Sequence, residues 1–125
     1  MTPIEKKRIL MVDDDEDLVY ETASTLNDAG YLVDSAFDGI KGKKLADTGA
    51  YDLVLLDVKM PGMRGPQILK DLKEKKLLSK IIVITGSLIK DSSLEECSII
   101  DLADGFIEKP FNPVELLTKI KNILS

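Results

Sequence analysis

The chain has 125 residues, with 17 Lys and Arg against 22 Asp and Glu, a formal net charge of -5, no histidine and one cysteine. That length suits one ordinary domain, which can bury roughly two thirds of the surface its unfolded form exposes without a metal or disulfide staple. The acidic balance argues against a nucleic-acid surface, for which Lys and Arg must cluster, and the missing histidine removes a common base, metal ligand and phosphocarrier.

Along the chain, MTPIEKKRIL carries charges without the apolar stretch of a secretion signal, and no apolar run nears the ~20 residues that span a bilayer. A cytoplasmic protein without membrane contact is expected, with Cys97 reduced and structural. RILMVD (Arg8 to Asp13) is the first of five short apolar runs, and DDDED follows it. Leu18, Thr22, Leu26 and Ala29 then repeat at helical spacing, up to the turn signal Asp28-Ala29-Gly30. YLVDSA (Tyr31 to Ala36) is the second run; Lys41, Lys43 and Lys44 after it read as a solvated helix face, closed by Thr48-Gly49.

YDLVLLD (Tyr51 to Asp57) is the third run, and it ends on a carboxylate before the turn Pro61-Gly62. Met60 and Met63 flank that turn as adaptable packing groups. Ile68, Leu69 and Leu72 mark a helix whose Lys73, Lys75 and Lys76 are solvated. KIIVITG (Lys80 to Gly86) is the fourth run, and a helix within Lys90 to Leu102 is blurred by Ser92, Ser93 and Ser98. DGFIEKP (Asp104 to Pro110) is the fifth, after which Asn112-Pro113 reads as a helix cap before Val114, Leu117, Ile120 and Leu124.

Strict alternation of strand and helix implies a parallel sheet with right-handed crossovers, helices on both faces and every strand C-terminus on one edge. The runs around Val54 and Val83 are apolar at successive positions, as strands covered on both faces should be. Ligands bind at the C-terminal edge of open α/β sheets. Asp13, Asp14, Asp57, Thr85 and Lys109 close the first, third, fourth and fifth strands, so they converge there. Clustered carboxylates repel one another by about 1 to 4 kcal/mol per pair at ~4 Å, which favours a cation; all-oxygen ligation suits Mg²⁺ or Mn²⁺. One of the three successive acids should cap the first helix, and Asp15 is placed to do so.

The motifs ILMVDDDED, YDLVLLDVKMPGMRG, IIVITGS and FIEKPF stand in order on this five-fold pattern. With them the chain resembles, nearly end to end, the response-regulator receiver domains of two-component signalling, of the chemotaxis type. The resemblance implies a single-domain (βα)5 three-layer, flavodoxin-like sandwich over residues 1–125, with a central five-stranded parallel sheet in order 2-1-3-4-5 and no effector domain in this chain. It implies a phosphorylation switch in which Asp57 accepts a phosphoryl group from a sensor histidine kinase or a histidine phosphotransfer protein. Asp14 would ligate Mg²⁺ directly and Asp13 largely through water, with Asp57 and the backbone carbonyl of Lys59 completing the protein's ligands. Lys109, followed by a cis peptide to Pro110, would contact the phosphoryl oxygens, and Thr85 would hydrogen-bond them.

In the family the threonine moves inward and an aromatic on the fifth strand follows, which makes Thr85 and Phe106 the switch pair. Plain packing is an equal reading of Phe106, which lacks the hydroxyl of the family's common tyrosine. The output surface would be the fourth helix, fifth strand and fifth helix, near Phe106, Glu108 and Lys119, facing a downstream effector protein or domain; phosphorylation-dependent dimerisation is compatible with it. Lys59 and Ser87, two residues beyond Asp57 and Thr85, stand where receivers tune aspartyl-phosphate hydrolysis, and Gly86 loosens the loop after Thr85.

Three alternatives compete. A haloacid-dehalogenase-type phosphatase wants a second Asp where Lys59 stands. A flavodoxin-like cofactor binder would find phosphate repelled by DDDED. A non-phosphorylated pseudo-receiver, serving as an interaction module, would normally have lost an acid, the threonine or the lysine, and all are present.

Overall fold

The computed structural model describes residues 6–57, 59–60, 63–75, 78–86 and 103–125. Its elements are β1 (Arg8–Val12), α1 (Glu16–Asp28), β2 (Leu32–Ala36), α2 (Gly39–Ala46), β3 (Leu53–Asp57), β4 (Lys59–Met60), β5 (Met63–Arg64), α3 (Gly65–Glu74), β6 (Lys80–Thr85), β7 (Gly105–Glu108) and α4 (Pro113–Leu124). All five expected strands form inside their expected spans. A helix within Lys90 to Leu102, together with Ser87 and Cys97, lies outside the described residues. The expected fifth helix is therefore α4 here.

The main sheet has five parallel strands in the order β2-β1-β3-β6-β7, the 2-1-3-4-5 order once the short antiparallel β4-β5 hairpin is set aside. Side chains alternate between its faces. Leu10, Val12, Val54, Leu56, Ile81 and Val83 pack with Ala46 of α2 and Ile68, Leu69 and Leu72 of α3. Ile9, Met11, Leu53, Leu55, Ile82 and Ile84 pack with Val19 and Leu26 of α1 and Leu116 and Ile120 of α4. Burial on both faces explains why β3 and β6 read as unbroken apolar runs.

Side-chain carboxylates and amides start the helices. Asp15 Oδ1 accepts the Leu18 N–H at 3.1 Å, so Asp15 caps α1. Asp38 caps α2 through the Lys41 N–H at 2.7 Å, and Asn112 caps α4 through the Val114 N–H at 2.8 Å, with Pro113 as the first helical residue. The apolar stripe of α4 differs from the expected one. Val114 is 64% exposed while Leu116 is buried, because two residues at about 100° each set Val114 on nearly the opposite side of the helix from Leu116, and the packed face runs through Leu116 and Ile120. Ala29 likewise leaves the packed face: α1 ends at Asp28, Ala29 is its C-cap, and Gly30 follows with a positive φ of 100°.

At the N-terminal edge of the sheet, acids serve the backbone. Asp52 Oδ2 accepts the Arg8 N–H at 2.8 Å, and Asp104 Oδ2 accepts the Ile81 N–H at 2.8 Å. Tyr51 donates its hydroxyl to Asp34 at 2.7 Å; its own burial and that acceptor push its pKa up to about 12.

The approach of α2 to β1 depends on Gly42. A Cβ there would lie 2.5 Å from Val12 Cγ1 and 2.8 Å from Val12 Cγ2. Val12 is pinned between Ala36 and Leu56 in the sheet, so it has little room to yield. Gly42→Ala is expected to destabilise the fold by about 1–3 kcal/mol despite the better helix propensity of alanine, read as a lower urea midpoint at unchanged slope.

Candidate functional site

Register brings the acids together. Val12 pairs with Leu56, so the residues that follow, Asp13 and Asp57, lie side by side at the ends of β1 and β3. Asp57 pairs with Ile84 and Thr85 pairs with Glu108, which sets Thr85 and Lys109 on the same edge. The Lys109 N–H donates to the Thr85 carbonyl at 2.7 Å, continuing the β6-β7 ladder past its last strand residue. The Lys109–Pro110 peptide is cis.

Three of these groups are nearly dry: Asp13 is 0%, Asp57 4% and Thr85 4% exposed. Asp14 is exposed, and one carboxylate oxygen from each of Asp13, Asp14 and Asp57 falls within 4.8 Å of the others. Lys109 Nζ lies 2.9 Å from Asp13 Oδ2 and donates a hydrogen bond to Asp57 Oδ2 at 3.1 Å. Asp13 Oδ1 accepts the Asp15 N–H at 3.0 Å, while its Oδ2 is buried without a hydrogen bond among the described residues, its ion contact to Lys109 aside.

Burial, with the Asp57 charge adding to it, raises the Asp13 pKa above the ordinary carboxylate value, although the Asp15 N–H and Lys109 both oppose the rise. Burial alone would lower the Lys109 pKa. The close contact with Asp13, the hydrogen bond to Asp57 and the charges of both carboxylates more than offset it and hold the ammonium above the ordinary lysine value. The cluster is thus a site of excess negative charge with one cation already inside it.

A hard divalent cation fits this donor set. All three side chains offer oxygen, Asp13 Oδ2 lacks a hydrogen bond, and Asp14 opens the site to solvent, which suits an ion that keeps several waters. The backbone of Lys59 lies two residues beyond Asp57, in the β4-β5 hairpin. An open groove of about 540 Å³ adjoins Lys109 and is lined also by Asp15, Leu18, Glu21, Gly86, Pro110 and Phe111. It was not legible in the sequence, since its walls come from segments far apart in the chain. On the outer face of β7, Phe106 is 42% exposed, Glu108 shares its side of the strand, and Lys119 Nζ of α4 stands 6.0 Å from the Phe106 ring centroid.

Residues 9–121 match the family described as "Response regulator receiver domain". The chain belongs to that family. It is 40% identical over 115 residues to the transcriptional regulatory protein DltR of Streptococcus agalactiae, covering 91% of this chain and 50% of that protein. It is 37% identical over 119 residues to the alkaline phosphatase synthesis transcriptional regulatory protein PhoP of Bacillus subtilis, covering 94% and 48%. The chain thus spans about half the length of these curated relatives. Among solved structures, a CheY-like receiver from Methanospirillum hungatei superposes with a TM-score of 0.82 at 36% identity, covering 96% of this chain and 94% of that one. The response regulator TrrA from Thermotoga maritima, solved in complex with Mg²⁺-BeF, gives 0.81 at 36% identity, covering 94% and 99%.

For a receiver domain with this acidic pocket, binding of Mg²⁺ to the folded state alone raises stability by mass action, about 2.7 kcal/mol at a hundred times the dissociation constant. A melt in Mg²⁺ is therefore expected to sit above one in EDTA. Asp13→Asn, which removes an anionic donor, is expected to abolish most of that difference.

Proposed function

We propose that this receiver domain is a phosphorylation-controlled switch with Asp57 as phosphoacceptor. The observation that carries the reading is the meeting of Asp57 with two further carboxylates and one ammonium at a nearly dry strand end. An Asp57 oxygen attacks the phosphorus of a partner's phosphohistidine, the P–N bond breaks with its electron pair returning to the imidazole, and an acyl phosphate forms. Phosphoryl transfer depends chiefly on positioning and on charge stabilisation. Asp13, Asp14, Asp57 and the Lys59 carbonyl would hold Mg²⁺, or Mn²⁺ in its place, and that ion supplies charge to offset the phosphoryl oxygens. Lys109 would supply the second, fixed positive charge, and the open groove beside it would face an approaching kinase or phosphotransfer protein.

The phosphoryl group adds about one negative charge beyond that of the carboxylate it replaces, which gives Thr85 and Lys109 a stronger acceptor. Thr85 would move toward it and Phe106 would follow inward from its half-exposed position beside Lys119. The surface that changes would comprise the segment before β7, β7 itself and α4, read by a downstream effector or by a second copy of the domain. Relatives named as transcriptional regulators, of which this chain spans half, support an output on transcription. Lys59 and Ser87 would alter the dephosphorylation rate. The pseudo-receiver alternative is disfavoured by the presence of all three acids, Thr85 and Lys109.

Intact-mass measurement after incubation with acetyl phosphate and Mg²⁺ tests the reading. One added phosphoryl mass is expected, absent with EDTA and absent in Asp57→Asn. Folded, Mg²⁺-binding protein that stays unlabelled, with acetyl phosphate and with a cognate phosphohistidine donor alike, would leave the pseudo-receiver as the better description.

A further inference from the structure

The β2 edge of the sheet, opposite the β7 edge that carries the proposed output, is flanked by two helices of opposite charge. α1 (EDLVYETASTLND) holds acids and no base, and α2 (GIKGKKLA) holds lysines and no acid. They cover opposite faces of the sheet, since Val19 and Leu26 of α1 pack into one core cluster and Ala46 of α2 into the other. Each helix returns from a strand of the same parallel sheet, so both begin at the C-terminal edge, and Glu16 and Asp17 stand at the same height as Ile40 and Lys41.

Each flank also carries an exposed apolar side chain at that height. Tyr20 is 63% exposed, with its ring tilted against Phe37, just beyond β2, at 6.0 Å between centroids. Ile40 is 71% exposed, and with Lys41 and Lys44 it lines an open groove of about 590 Å³. Lys43, on the α3 side of α2, is paired with Asp47 at 3.2 Å, whereas Glu16, Asp17, Lys41 and Lys44 have no ion-pair partner among the described residues. β2 between the helices has a neighbouring strand on one side only among the described residues.

We propose that the β2 edge is a docking surface for a second copy of this chain, related by a two-fold axis that runs along β2. Such an axis keeps the strand direction and exchanges the two faces of the sheet, so α1 of each copy meets α2 of the other, first turn beside first turn. Glu16 and Asp17 of one copy then oppose Lys41 and Lys44 of the other, Tyr20 opposes Ile40 and its groove, and the contact is made twice and closes on two copies. A two-fold axis perpendicular to the sheet would instead set acids against acids and lysines against lysines. The contact needs no phosphoryl group and stands apart from the phosphoacceptor reading.

Sedimentation equilibrium of the full chain, without a phosphoryl donor, compares wild type with Lys41→Glu/Lys44→Glu and with Glu16→Lys/Asp17→Lys. Wild type is expected to form a dimer and nothing larger, and to dissociate more readily as salt is raised. Each variant alone is expected to have a dissociation constant at least about tenfold higher than wild type, and an equimolar mixture of the two to form a heterodimer, because both contacts are then restored. Wild type still monomeric at about 1 mM overturns the proposal. So does a dimer that both variants retain, or an assembly that grows beyond two copies. Glu16 and Asp17 also favour the first turn of α1. Should their variant not fold, NMR of wild-type protein decides: amide signals of α1 and α2 should move on dilution, and movement confined to β7 and α4, or none, is contrary to the proposal.

Discussion

Two like charges at the dry ends of adjacent central strands constrain everything around them. The pairing of Val12 with Leu56 makes Asp13 and Asp57 neighbours, and their burial denies them the water that would screen one from the other. The protein answers with a cation delivered from the far side of the sheet, on the turn between β7 and α4. That delivery depends on the β6-β7 register and on the backbone bond from Lys109 to Thr85. The opposite edge of the same sheet shows the contrast. Asp52 and Asp104 there accept backbone N–H groups and act as structural acceptors, whereas Asp13 keeps one oxygen without any hydrogen bond among the described residues.

The same bonds give the site a route to the surface. Thr85 and Lys109 share a backbone hydrogen bond, and the three residues before Lys109 alternate between core and solvent: Ile107 is buried while Phe106 and Glu108 face outward. Phe106 meets Lys119 of α4 across that outer face. A displacement at Thr85 therefore bears on a strand only four residues long, paired to β6 at the edge of the sheet. This is the physical basis for assigning the proposed output to β7 and α4.

Sheet order and the convergence of the acids were legible because parallel strands leave two strong signals: unbroken apolar runs such as Leu53 to Leu56, and a polar residue closing each run. The cap roles of Asp15 and Asn112 were legible because each precedes a periodic segment. Val114 was misplaced because Val114 and Leu116 are both apolar but lie on nearly opposite sides of the helix, and the period alone does not say which side meets the sheet. Asp38 as the cap of α2 and the short β4-β5 hairpin carried too little pattern, one acid and two residue pairs. The convergence of Lys109 with Asp13 and Asp57 was legible from strand order, but that its ammonium contacts both carboxylates was not, since register alone sets those distances.

A lysine suits that junction better than an arginine. Its ammonium is a compact charge on a flexible stem and can stand between two oxygens that belong to different strands, as it does here at 2.9 and 3.1 Å. A guanidinium would favour one carboxylate in a planar two-bond pairing, which is harder to displace and covers the second acid less well. The site has to hold two buried carboxylates together across adjacent strand ends. That demand suits a flexible donor anchored by its backbone to Thr85 and bordered by a groove with acids of its own.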